Sequence, residues 1–160
     1  MKKIYLILVL SLPLSMFAQS KFSVEANSSS MVIKGDAGLV FGGAFGYQAS
    51  KRTTVVLGVL HANINSDINY NLNKYYLNAI HRLNDETSKF GIASILGFSY
   101  FDFDDKLNLN GGSGFGIDLG VKSYIKQSDQ SEYGFNLIST YNSQAPGAIL
   151  EAGLFFKYTF

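Results

Sequence analysis

The chain has 160 residues with 13 basic and 12 acidic side chains, a formal charge of +1. This length suits one domain, and so even a charge balance argues against a nucleic-acid binder, which would normally show a basic face. There is no cysteine, which excludes disulfides, thiol catalysis, thiolate metal sites and a lipid-modified cysteine anchor.

Charged residues make up only 16% of the chain, against about 25% in an average soluble domain. The 13 Phe, 10 Tyr and 16 Gly, with only two Pro, suit a β protein with an apolar exterior. Residues 1–18 read as a secretory signal. Lys2 and Lys3 form a positive start, Ile4 to Leu14 an apolar stretch, and Met16-Phe17-Ala18 a cleavage site before Gln19. The stretch is too short for a spanning helix of about 20 residues. The mature domain is therefore taken as 19–160.

From there, period-two alternation recurs, the signature of strands with one face in each of two environments. Lys21 to Asn27 sets Phe22, Val24 and Ala26 against Ser23, Glu25 and Asn27, and Ser28 to Gly35 reads as a polar link. Asp36 to Gln48 sets Leu39, Phe41, Phe45 and Tyr47 against a face of small residues, including Gly38, Gly42 and Gly46. Small side chains suit the crowded inside of a narrow barrel. Thr53 to Ala62 is ambiguous, and the odd set Val55, Leu57 and Val59 is assigned outward because this turns Gly58 inward. Asn63 to Asn73 reads as a long link rich in Asn63, Asn65, Ser66, Asp67, Asn69, Asn71 and Asn73, with Ile64, Ile68, Tyr70 and Leu72 interleaved, either solvated or offering a ligand surface.

Lys74 to Leu83, Lys89 to Phe103, Ser113 to Lys126, Tyr133 to Asn142 and Ala148 to Phe160 continue the alternation. Asp102, Asp104 and Asp105 form an acidic link, read as solvated. The glycines from Gly112 to Gly120 superficially resemble a dinucleotide loop, but alternation runs through them with no helix after, so they face the lumen. About eight strands result, with the first, third, fifth and seventh connections mostly long and the others short. The expected architecture is an all-β, eight-stranded, antiparallel up-and-down transmembrane barrel, because only a closed sheet satisfies its own backbone in hydrocarbon. Two aromatic girdles are expected, one with Phe22, Tyr47, Phe90, Tyr133, Tyr158 and Phe160, the other with Tyr75, Tyr100, Phe115 and Tyr141.

The final strand carries Leu150, Ala152, Leu154, Phe156, Tyr158 and Phe160 on one face. Leu154, Phe156, Tyr158 and the terminal Phe160 resemble the C-terminal assembly signal of bacterial outer-membrane barrels. With the signal sequence and the strand count, the mature chain resembles small outer-membrane barrels of the OmpA-barrel and OmpX-like kind. This resemblance implies outer-membrane location, lipid and lipopolysaccharide around the wall, recognition by the barrel assembly machinery and a monomer. The OmpA-type periplasmic peptidoglycan-binding domain is not expected here.

Parity places Glu25, Arg82, Asp118, Lys122, Glu151 and Lys157 inside, as a polar network plugging the lumen. As first and last strands pair, Glu25 is expected near Lys157. His61 and His81 are the only histidines. Neither precedes a serine in the His-x-Ser pattern of lipid A deacylases, and two distant histidines make no metal site. No catalytic residue, metal or cofactor is expected. A narrow channel and a lipid-modifying enzyme stand as alternatives, the latter with His61 as its catalytic candidate.

Overall fold

A computed structural model describes residues 22–65, 69–85, 87–103, 113–143 and 147–160. The segment 1–18 read as a secretory signal lies outside the described residues, as do Asp104, Asp105, Gly112, Ser66, Asp67 and Ile68. Eight strands follow in order: β1 (Phe22–Ile33), β2 (Asp36–Gln48), β3 (Thr53–Asn65), β4 (Tyr70–Arg82), β5 (Phe90–Phe103), β6 (Ser113–Lys126), β7 (Ser131–Asn142) and β8 (Ala148–Thr159). Each pairs antiparallel with the next, and β8 returns to β1 to close the barrel.

The register fixes the barrel's shape. The cross-strand partners of Phe22 run through Tyr47, Val55, Ala79, Leu96, Leu119, Ser139 and Leu150, and the last pairs back to β1 at Val32. The circuit therefore gains ten residues (32 − 22), and such a stagger tilts the strands by roughly 35–45°.

Burial alternates along every strand as the barrel demands. In the ambiguous third strand, Leu57 and Val59 are exposed, Val55 is part-exposed, and Val56 and Leu60 are buried. The outward residues form a continuous apolar belt. From Phe90 to Tyr100, at roughly 3.3 Å per residue and 40° tilt, the belt is about 25 Å tall. Aromatic rings gather at its two edges. Phe22 lies 5.4 Å from Phe45 and 5.3 Å from Tyr47. At the opposite edge Tyr100 lies 6.4 Å from Tyr75 and 5.1 Å from Phe115.

Three features differ from the sequence reading. Ser28 to Ile33 is strand, and β1 turns into β2 through Lys34 and Gly35 alone. Both have positive φ, 54° and 97°, the geometry of a two-residue hairpin turn whose twist matches the strands. Most of the asparagine-rich stretch is also strand, since β3 reaches Asn65 and β4 starts at Tyr70. Connection lengths accordingly do not sort into long and short ends. The first is the shortest, while 83–89 at the other end is longer than expected.

The third difference is inside. The lumen is not polar throughout. Met31, Val40, Ala62, Ile64, Leu72, Phe101, Phe103 and Ile149 are buried in one apolar cluster at the end away from the chain termini. The reason is that the strands outrun the belt. Beyond Tyr75 and Tyr100 the outward residues become His61, Asn63, Asn65, Asn71 and Asp102, all exposed, while the inward ones become apolar. Where the outside meets water, apolar side chains gain by turning inward.

Candidate functional site: the lumen

Narrow barrels leave little room inside, and glycines make it. The Tyr76 ring lies over its cross-strand partner Gly58, and the Tyr124 ring over Gly91. Each ring occupies the space a Cβ would need, so the glycine and the tyrosine fit as a pair.

Below the apolar cluster the lumen holds ionisable groups in three tiers. The six residues assigned inward by parity all turn inside, and two more join them. The deepest tier centres on Lys74, which is 1% exposed. Its Nζ lies 3.2 Å from Asp118 Oδ2 and 3.4 Å from Glu151 Oε2, and donates to Thr140 Oγ1 at 3.3 Å. Asp118 Oδ1 also accepts from Ser99 Oγ at 2.9 Å and Thr140 Oγ1 at 2.6 Å, and Glu151 accepts from Ser29 Oγ at 3.3 Å. The ammonium sits 5.5 Å from the Phe101 ring centre and 5.8 Å from that of Tyr76. Two buried carboxylates thus share one cation, with hydroxyls satisfying their remaining lone pairs.

The middle tier is the Lys122–Glu25 pair at 2.5 Å, with Lys122 Nζ 3.6 Å from the centre of the Phe155 ring. The third tier is Glu132, which accepts from Lys157 at 2.9 Å and also pairs with Arg82. Arg82 stacks over the Tyr124 ring at 5.1 Å. Across the tiers, four cations (Lys74, Lys122, Lys157, Arg82) face four anions (Asp118, Glu151, Glu25, Glu132).

Glu25 and Lys157 are register partners on β1 and β8, but they do not form the expected ion pair. Each turns to a nearer partner across the lumen, Lys122 and Glu132 respectively. Lys74 and Glu132 are absent from the sequence reading, which began one strand at Lys74 and put Glu132 in a turn. Parity carried one step further reveals both: Tyr76, Asn78 and Ile80 imply Lys74, and Gly134 and Asn136 imply Glu132.

The histidines lie outside the barrel. His61 Nδ1 is 2.9 Å from Asn73 Oδ1. His81 Nδ1 is 3.1 Å from Thr53 Oγ1, and its register neighbour on the other side is Ser94, followed by Val121. Among the described residues no group of three or more His, Cys, Asp or Glu is placed to hold a metal ion.

Known structures share this architecture. The N-terminal barrel domain of Pseudomonas aeruginosa OprF matches at a TM-score of 0.62 and 16% identity, over 86% of this chain and 97% of that one. Neisserial surface protein A matches at 0.61 and 14%, over 87% and 96%. The outer-membrane enzyme PagL matches at 0.59 and 10%, over 85% and 99%. The fold is that of the small outer-membrane barrels. No protein-family model matches the chain, and no curated protein matches it either. At these identities the likeness extends to the fold alone, and one of the three structures is an enzyme.

Proposed function

We propose that the protein is an integral outer-membrane barrel without enzymatic activity, closed by its own side chains. It would act through the end that projects beyond the membrane, in envelope structure or in contacts with surface ligands. The observation that carries this reading is the combination of an apolar belt about 25 Å tall with a lumen filled by the apolar cluster and three ion-pair tiers. Exposed apolar surface of that extent requires hydrocarbon around it. The wall would then meet lipid and lipopolysaccharide. The start of β1 and the end of β8 lie on one side, as an even strand number dictates, and that side is periplasmic in this reading. Leu154 and Phe156 are exposed on the outer face of β8, with Tyr158 part-exposed behind them and Phe160 beyond the strand's end. There they suit recognition by the barrel assembly machinery before closure. The reading includes export by the segment 1–18 and a monomeric state.

Folding is tested first, by heat-dependent gel migration of membrane-extracted protein. Single-channel recording on refolded protein then tests closure. No stable conductance is expected, and large, reproducible conductance would instead establish the narrow channel.

One observation favours a second reading, an enzyme acting on membrane lipid. Thr53, His81 and Ser94 stand in an outward row, a hydroxyl on each side of an imidazole. The row ends at Val121, so no carboxylate stands in register to orient the ring. Expression of the protein should leave membrane-lipid masses unchanged. A mass change abolished by His81→Ala would establish the enzyme and place its centre at His81 rather than His61.

A further inference from the structure

Between the tiers are voids, and their linings include three buried side chains that each carry an unpartnered polar atom. A cavity of about 220 Å³ at the terminal end is lined by Gln48, Thr54, Arg82, Asp129, Glu132 and Lys157, among others. Past the Arg82–Glu132–Lys157 tier is a second cavity of about 20 Å³, which shares Thr54, Arg82, Glu132 and Lys157 with the first. Past the Lys122–Glu25 tier is a third of about 20 Å³, which shares Glu25, Val56, Ile80 and Lys122 with the second and reaches Lys74 and Glu151. About 10–15 Å³ suffices for one water.

The second cavity is lined by Tyr124, whose hydroxyl has no hydrogen-bond partner. The third is lined by Asn27 and Asn136, whose Nδ2 and Oδ1 respectively also lack partners. All three side chains are more than nine-tenths buried, with residual exposures of 3% for Tyr124, 7% for Asn27 and 4% for Asn136. Nδ2 offers a donor, Oδ1 an acceptor, and the tyrosine hydroxyl either. Leaving such groups unmet in a dry interior forfeits their hydration with nothing in return. Water is the one ligand small enough for these voids that satisfies donor and acceptor together.

We infer that the lumen holds a file of ordered water, entered from the terminal mouth and ending at Lys74. On the far side the file is shut by the side chains of Met31, Ile64, Leu72, Phe101 and Ile149, which are essentially fully buried. These offer water no polar partner, and an apolar constriction excludes it. The inference rests on the closed-barrel reading and adds a direction to it. Water and protons reach the centre from one side only, and the apolar stopper, not the charges, is the barrier.

Two experiments test this. The first is a high-resolution crystal structure or water–protein NMR cross-relaxation of the refolded barrel. Water is expected beside Asn27 Nδ2 and Asn136 Oδ1 and beside the Tyr124 hydroxyl, with the last lost in Tyr124→Phe. Two dry cavities would overturn the inference while leaving the closed barrel standing. The second uses vesicles containing the protein and an entrapped pH-sensitive dye under an imposed pH gradient. The natural protein should match protein-free vesicles, and Phe101→Ala should raise proton flux clearly above that baseline. Ile149→Ala serves as a second opening, and heat-dependent migration establishes that each variant is folded. Folded variants as tight as the natural protein would overturn the stopper. Proton flux through the natural protein would overturn the stopper and the closed-barrel reading together.

Discussion

The two ends of this barrel solve opposite problems with the same alternation. Around the belt, leucine and phenylalanine point out and charge is kept inside. Beyond Tyr75 and Tyr100, asparagine points out and phenylalanine is kept inside. The chain does not change its period at this border, only which parity is apolar. The lesson is that the surroundings, not a preference for polar interiors, decide what fills the lumen. The inversion from Tyr75 to Asn73, and from Tyr100 to Asp102, marks the height at which hydrocarbon gives way to water.

The contrast is broken most severely from within. Lys74→Ala leaves Asp118 and Glu151 buried without their cation, at a cost of about 3–5 kcal/mol. Urea unfolding in lipid vesicles measures it. Replacing all three by apolar residues of similar volume should instead be neutral or stabilise by about 1–4 kcal/mol, and a triple variant as unstable as Lys74→Ala would refute this account of the tier. The outside offers a sharper comparison. Leu119→Arg, at 45% exposure in the belt, should cost about 2–4 kcal/mol, whereas Asn63→Arg, beyond it, should cost about 0–1. Equal costs at the two sites would remove the proposed border. Gly58→Ala forces a methyl into the Tyr76 ring and should cost about 1–3 kcal/mol, with recovery when Tyr76 is shortened to leucine in the same chain. Smallest is Asp85→Ala. The Arg52–Asp85 pair at 3.0 Å is exposed at the terminal end, and its loss should change stability by at most about 1 kcal/mol.

Parity made most of this legible in advance. Glu25, Asp118 and Glu151 each sit one residue from strongly apolar neighbours, so their direction follows from those neighbours. What escaped was at strand ends. Ser28 to Ser30 read as a link because three serines in a row carry no hydrophobic alternation, yet their backbone pairs on both sides with β2 and β8. Asn63, Asn65, Asn71 and Asn73 read as loop because composition there reports solvent outside the wall, not an end to pairing. The ion-pair partners were not legible either. Register puts Glu25 beside Lys157, but side chains in a lumen reach across it, and the choice of Lys122 depends on closure in three dimensions.

That closure has a consequence for the order of folding. β1 and β8 pair over the longest sequence separation in the molecule, and contacts of this kind form late because so much chain must be gathered first. Lys122 on β6 finds Glu25 on β1, and Ser29 on β1 finds Glu151 on β8, only when that last seam zips. Until then the carboxylates remain hydrated and mispairing carries little penalty. A wrong stagger at the closing β1–β8 seam would therefore bury these charges away from their partners, which makes that seam the costliest place in the barrel for an error of register.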